Sequence, residues 1–501
     1  MIQTLESNIM HKDLVLVTVP FTETEIPLYA IAQLKTIALD AGWSCATIDL
    51  NNYFLPALTE HLHSTRLVDW FYNETYHPGI EKFLLDMIDD MSNKILAHSP
   101  RVVGISLFTY GCQVATKYLC ISLKQKNPDI EIILGGSGLF ENVGGERSYL
   151  DSLLDMELVD HYFVGDAELA FKDWLEGKSE VAGLNNTNWK ELTNTDLNNI
   201  PYANFDDYDW NMYKTPVIPM TASRGCIRRC KFCNDIVHWK LFSFRTGQNI
   251  FDEMIYQKNK YNINHFSFTD ALINGNVKEF RALCGLLADY NSANQQDQIS
   301  WESQFIFRPR NQFTESDWEL LAKSNPTELS VGIESLDPDV RHDMGKKFNQ
   351  EDMDFNFEQA LKHNIKIYGM MIVGYPTEDE ESVEVAKNWL RTRTRFQPVV
   401  QFTWGGTLAI LPGTYLDTNR EQYGLNVFGP PWQLWNSDLS GSTPQKRVKW
   451  WRELINTSKS LGYNVSSGLE NASMIDWLSD ADHQQPAEIK MNQFESQTVK
   501  I

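Results

Sequence analysis

Three cysteines, Cys226, Cys230 and Cys233, stand in the run Arg224-Gly-Cys226-Ile-Arg-Arg-Cys230-Lys-Phe232-Cys233. Cysteine thiolates are the usual ligands of iron–sulfur clusters, and a four-iron cluster held by four of them only carries electrons. Held by three, it keeps one iron open to a substrate. The rival is tetrahedral zinc, with His238 completing a Cys-x3-Cys-x2-Cys-x4-His set. Spacing alone does not separate the two, and the surrounding elements must. The basic group Arg224, Arg228, Arg229 and Lys231 is either a solvated loop or a local field that neutralises thiolate charge or attracts an anionic substrate or redox partner.

The elements that position this loop come from periodicity. Residues 14–170 alternate short β-rich runs with amphipathic helical patterns, the signature of a doubly wound parallel sheet. Strands are expected at 14–19, 45–50, 101–108, 130–136 and 161–168, with helices near 27–41, 80–97 and 112–126. Ligands of such sheets lie beyond the carboxyl ends of the strands, which marks 20–26, 109–111, 135–138 and 165–168. Gly135 and Gly136 let backbone approach a ligand without a Cβ between them, and Ser106 offers a hydroxyl. A polar linker, 176–212, follows, ending in the aromatic segment around Pro201 that packs as an irregular connector or serves as a hinge.

From 213 to 424 strand–helix alternation resumes. Strands are expected at 217–222, 265–270, 299–305, 329–335, 365–374 and 399–405, and helices at 248–260, 277–290, 315–323, 351–363 and 378–393. Six such units suit a partial (β/α)6 barrel, whose reactive groups sit after the carboxyl ends of its strands. The cysteine loop follows the first strand, which favours the iron–sulfur reading. Asp270, Asn274 and Asn276, then Gln304, Arg308 and Arg310, end the second and third strands, Arg310 being the one expected in a surface ion pair. Thr377 is expected to cap the helix that begins at Glu378. The segment 425–501 holds Trp432, Trp435, Trp450 and Trp451 and a helix from Thr443 to Leu461; the tryptophans either pack against the barrel or close its mouth. Residues after about 480 are expected to fray.

The cysteine run, with Phe232 before the last thiol, resembles the signature of the radical S-adenosylmethionine superfamily. The resemblance implies that Cys226, Cys230 and Cys233 anchor a 4Fe-4S cluster whose open iron is chelated by S-adenosylmethionine, and that an electron from a flavodoxin or ferredoxin releases a 5′-deoxyadenosyl radical. It further implies cofactor contacts from Phe232, Asp270, Gln304, Glu334 and Ser335, followed by Met344-Gly-Lys346, and from Ile372, Gly374 and Pro412. The amino-terminal region is similar to the cobalamin-binding domains that precede many such enzymes: Ser106-Leu107-Phe108, 26 residues, Gly135-Gly136, then Gly165-Asp-Ala-Glu168. That likeness implies cobalamin contacts at Pro20, Ser106, Leu107, Thr109, Gly135, Gly136, Gly165 and Glu168. The Asp-x-His-x-x-Gly motif that supplies an axial histidine is absent from the loop PFTETEIP, so cobalt would carry no histidine.

The implied activity is cobalamin-dependent methyl transfer to an unactivated carbon of a small molecule. The alternatives are a radical rearrangement or cyclisation with the same cofactors, a methylthiotransferase-like RNA modifier, and a non-catalytic cobalamin or zinc regulator. A net charge of -22 opposes extended contact with nucleic acid. No apolar run reaches the roughly 18 residues of a membrane span. The polar opening MIQTLESNIMHKD and the scattered Cys45, Cys112, Cys120 and Cys284, read as reduced core residues, point to the cytoplasm.

Overall fold

In a computed structural model of the chain, residues 11–20, 26–61, 70–71, 74, 81–139, 149–163, 165–181, 183–185, 196–239, 241–428 and 433–466 are described. They fall into two compact units, Met1–Ser223 with Ser243–Thr269, and Arg224–Phe242 with Asp270–Ile501.

The first unit is built on a parallel sheet of strands β1 (Leu14–Thr18), β2 (Cys45–Asp49), β3 (Val102–Ser106), β4 (Glu131–Gly135) and β5 (His161–Tyr162), in the order β2-β1-β3-β4-β5. Helices α1 (Tyr29–Asp40), α2 (Leu50–His61), α3 (Glu81–Leu96), α4 (Gln113–Lys126), α5 (Tyr149–Asp155) and α6 (Glu168–Leu175) alternate with them. Every residue of β1 is buried, as a parallel strand covered on both faces requires. Thr18, Ser106 and Gly135 are register partners, so these strands end at one level, and the order reverses between β1 and β3. Ligands bind at such a switch point.

The connector is packed, not loose. The buried Lys35 pairs with Asp207 at 2.6 Å, Thr36 donates to the Tyr202 carbonyl at 2.7 Å, and the Tyr213 hydroxyl donates to Asp49 at 2.6 Å. The unit also holds β6 (Ile218–Met220) and, after α7 (Gly247–Tyr261), β7 (His265–Phe268), which pairs with β6 in parallel. Thr246 caps α7, and Asn262 closes it in the left-handed conformation.

The second unit continues the alternation: α8 (Val277–Ala293), β8 (Ser300–Phe305), α9 (Glu315–Lys323), β9 (Pro326–Glu334), α10 (Pro338–Asp343), α11 (Gln350–His363), β10 (Lys366–Val373), α12 (Glu380–Thr392) and β11 (Val400–Thr407). These strands pair in parallel in sequence order. The expected fold class, a Rossmann-like region followed by the strand–helix repeats of a partial barrel, is the one found. Its carboxyl-terminal extension is more than helical. A hairpin of β12 (Leu425–Val427) and β13 (Trp435–Ser437) precedes α13 (Pro444–Ser460), and β14 (Asn464–Ser466) adds a parallel strand to β11.

The choice left open for the tryptophans is settled in favour of packing for three of them. Trp435, Trp450 and Trp451 are buried, with the indoles of Trp435 and Trp451 donating to the Leu408 and Trp404 carbonyls. Trp432 and the tail lie outside the described residues. No helix among those residues is long and apolar enough to cross a membrane.

Candidate functional site

The cysteine loop opens at Gly225, whose φ of +72° and missing Cβ are both required, since a side chain there would meet the Leu241 carbonyl at 2.6 Å. Cys226 and Cys233 are half-buried and Cys230 is buried. The Arg228 amide donates to the Cys226 sulfur at 3.4 Å, and the Cys233 amide closes a tight turn on the Cys230 carbonyl at 3.1 Å. Burial pushes the Cys226 and Cys233 thiols up, Cys233 to about 12 with Asp235 adding to the effect, so a metal centre binding here displaces protons.

One further feature fits an anionic cluster. Burial lowers the pKa of the Arg228 guanidinium, with negative charge on Cys226 and Cys230 acting in the opposite sense, and its Nη2 is buried with no partner among the described residues. A donor in that position suits cluster sulfide or thiolate. The His238 side chain lies outside the described residues.

The loop is fastened from behind. The Lys231 amide donates to the Met344 carbonyl at 3.0 Å, and its carbonyl accepts from the Leu416 amide at 3.1 Å. Its ammonium binds both Asp343 and the Tyr423 hydroxyl at 2.7 Å. Gly345, at φ +91°, lets the α10 end lie against the Arg229 and Cys230 backbone. These anchors come from residues 112 and 192 positions away.

Several residues expected to bind S-adenosylmethionine gather on this side. Phe232 and Ile372 pack on one apolar cluster with Met344, Tyr375 and Ile410. Lys346 lies 5.6 Å from the Phe232 ring and pairs with Glu334 at 2.9 Å, both side chains being about one-tenth exposed. Burial opposes the Lys346 charge, but Glu334 and the Cys230 thiol outweigh it and raise its pKa. Glu334 is a non-glycine residue at φ +67°, and Gly332 is what admits its carboxylate, since a Cβ there would meet Glu334 Oε1 at 2.4 Å. The buried Arg341 locks the same turn by donating to the Ser335 carbonyl at 2.9 Å.

Asp270 is buried and Gln304 exposed, on segments joined by hydrogen bonds from Ile273 to the Gln304 carbonyl and between Asn274 and Ile306. Arg308 is held by the Asn274 and Gly275 carbonyls, and Arg310 forms the expected exposed pair with Glu351. Asn276 caps α8. Pro412 is exposed, beside Gly413 and Val237.

The expectations at two glycines need a different reason. A Cβ on Gly374 would meet Arg447 Cδ at 2.0 Å, so the approach it permits is made by the buried Arg447 side chain, not by a nucleobase. At Gly136, φ +101°, a Cβ would meet the Leu107 carbonyl at 2.1 Å. The helix cap expected at Thr377 is Asp379, which accepts from the Ser382 amide. Glu378 turns inward instead, buried and accepting from the Gly374 amide, and burial raises its pKa to about 7.

In the first unit the residues expected to bind cobalamin lie at or just beyond the carboxyl ends of the strands, except Glu168, which opens α6, because the strand expected over 161–168 is only His161–Tyr162. Pro20 and Leu107 are buried, Ser106, Thr109, Gly135 and Glu168 half-buried, and Gly136 and Gly165 exposed. Gly138 holds the β3 and β4 ends together by donating to the Leu107 carbonyl at 3.1 Å. Beside them Phe108 is 44% exposed, an apolar ring at a strand end.

Residues 220–390 match the model of the radical SAM superfamily. An uncharacterized methyltransferase of Pyrococcus horikoshii is 23% identical over 354 residues, 66% of this chain and 70% of that protein. The radical S-adenosylmethionine methyltransferase TsrM from Kitasatospora setae, solved with cobalamin and a [4Fe-4S] cluster, superposes with a TM-score of 0.63 at 14% identity, covering 95% of this chain and 100% of that one. The cobalamin-dependent S-adenosylmethionine radical enzyme OxsB, solved with aqua-cobalamin, gives 0.57 at 14% identity over 83% and 56%.

Proposed function

The chain is a radical SAM enzyme, its superfamily domain spanning residues 220–390, and from that premise we propose that it transfers a methyl group to an unactivated carbon of a small molecule using cobalamin. The observation that carries the cluster assignment is a fastened three-thiol loop that includes a buried guanidinium nitrogen, Arg228 Nη2, with no partner among the described residues. Bound together, the cluster and S-adenosylmethionine supply a 5′-deoxyadenosyl radical able to take hydrogen from carbon. Cys226, Cys230 and Cys233 hold the cluster. Lys231 fixes their loop through Asp343 and Tyr423. Glu334 and Lys346 offer one acceptor and one donor to the amino acid part of S-adenosylmethionine, and Phe232 and Ile372 exclude water on the same side.

Cobalamin is assigned to the carboxyl ends of β1, β3, β4 and β5, supported by the switch-point order and by the cobalamin-bound enzymes of the same fold. We propose a flavodoxin or ferredoxin as the electron donor and the cytoplasm as the compartment, the latter supported by the scattered, buried thiols of Cys45, Cys112, Cys120 and Cys284. The test is anaerobic reconstitution with cobalamin and S-adenosylmethionine carrying a deuterated methyl group. The expected result is bound corrinoid, 5′-deoxyadenosine and a deuteromethylated product. A deuterium-free rearranged product with corrinoid retained would replace methyl transfer by rearrangement.

A further inference from the structure

The sheet of the second unit departs from what a packed barrel interior requires. Layers of branched apolar side chains fill such interiors, and parallel strands covered on both faces read as continuous apolar runs. Strands β8 to β11 instead alternate. Their buried set, including Trp301, Phe305, Val331, Ile367, Phe402 and Trp404, faces the helices, with Phe280 and Trp318 against Phe305 and Trp389 against Phe402. The other face is half-open: it is polar at Ser300, Glu302 and Gln304 of β8, Glu328 and Ser330 of β9, Lys366 and Tyr368 of β10 and Gln401 and Thr403 of β11, and turns apolar at Met370 and Ile372 toward the carboxyl end of β10.

Register makes this face a continuous wall. Gln304 is the partner of Ser330, Ser330 of Tyr368, and Tyr368 of Gln401, so four successive strands present a polar side chain at one level. Tyr368 and Thr403 are linked through the Ser466 hydroxyl on β14, each at 2.8 Å. The side chains of Gln304, Ser330 and Gln401 have no hydrogen-bond partner among the described residues. The level lies four residues before Glu334 and Ile372, about 13 Å along a strand, with Met370 and Gly332, the latter lying under the Glu334–Lys346 pair, between them. Gln304 is exposed and Ser330, Tyr368 and Gln401 are half-buried, so the donors and acceptors of this level stand open to solvent or to a ligand.

We infer that the substrate is a hydrophilic small molecule with several hydroxyl, amide or amino groups, held against Gln304, Ser330, Tyr368 and Gln401, and not an apolar ring system. The inference rests on the methyl-transfer reading for the word substrate, but the binding surface stands independently of turnover. The wall's own groups are amide and hydroxyl, each able to donate and accept, and they match partners of the same kind. An aromatic or tetrapyrrole surface in the same place would strand them.

The test uses the reconstituted full-length chain and reads binding first. Two fragment sets, one of hydroxyl-, amide- and amine-bearing compounds including cytidine and glucosamine, the other of aromatic hydrocarbons and chlorins, are screened by calorimetry and located by amide hydrogen exchange. The polar set is expected to slow exchange in 300–305, 326–334, 366–373 and 400–407, and the Gln401→Leu and Ser330→Ala variants together to weaken the best fragment about tenfold. Gln401→Asn provides a gentler variant with the same expected direction should the pair fail to fold. Binding there by the apolar set alone, by neither set, or with affinity untouched by the substitutions overturns the proposal. Fragments that bind there without ever supporting 5′-deoxyadenosine formation uphold the wall and count against the radical reaction instead.

Discussion

The two parallel sheets of this chain are built by opposite rules. In the first, β1 is buried throughout, β3 exposes only its last residue in part, and β4 only its ends. In the second, β10 is buried at every other position from Ile367 to Val373. A sheet covered on both faces leaves only its strand ends for a ligand. A sheet that alternates also offers a face, and this chain places its cysteine loop in the same unit as that face. The division suits a first unit that holds a large cofactor at an edge and a second that surrounds a reactant.

Substitutions separate these roles, beginning with the largest expected effect. Cys230→Ala should abolish cluster assembly, measured as iron and acid-labile sulfide, while corrinoid still binds the first unit. Lys346→Met strands the nearly buried Glu334 carboxylate and should cost roughly 3–5 kcal/mol in denaturant unfolding; Lys346→Met combined with Glu334→Leu should recover much of that loss.

Glu378 gives a pH dependence. Its folded pKa of about 7 lies above the ordinary carboxylate value, so the folded state binds the extra proton between about pH 4.5 and 7. Its contribution is fully present below 4.5 and is lost as pH rises through 7, on the order of 3 kcal/mol in all. Glu378→Gln should flatten that part of the stability profile. Gly136→Ala should cost about 2 kcal/mol through its positive φ and the Leu107 carbonyl, and should weaken corrinoid binding while leaving iron content unchanged. Loss of iron in Gly136→Ala, or of corrinoid in Cys230→Ala, would erase the proposed separation.

Much of this was legible in the sequence because it is local. Apolar periodicity located β1 to β4 and β8 to β11 to within a few residues, and the cysteine spacing identified the loop. The unread parts are those made by distant partners or by small shifts. Nothing in the sequence joins Lys231 to Asp343 and Tyr423, or sets Arg447 into the space over Gly374. Moving the α12 cap from Thr377 to Asp379 turned Glu378 from a solvated first-turn acid into a buried one. Helix α2 was hidden by Pro56, which argues against a helix interior, and β14 by being three residues long and mostly polar.

The central claim is that three thiolates leave one iron of the cluster open. Mössbauer spectroscopy of the anaerobically reconstituted protein with enriched iron, before and after addition of S-adenosylmethionine, tests it most directly. One iron in four should change its isomer shift on addition while the other three stay fixed. Four equivalent irons indifferent to S-adenosylmethionine, or a protein that takes up zinc in their place, would contradict it.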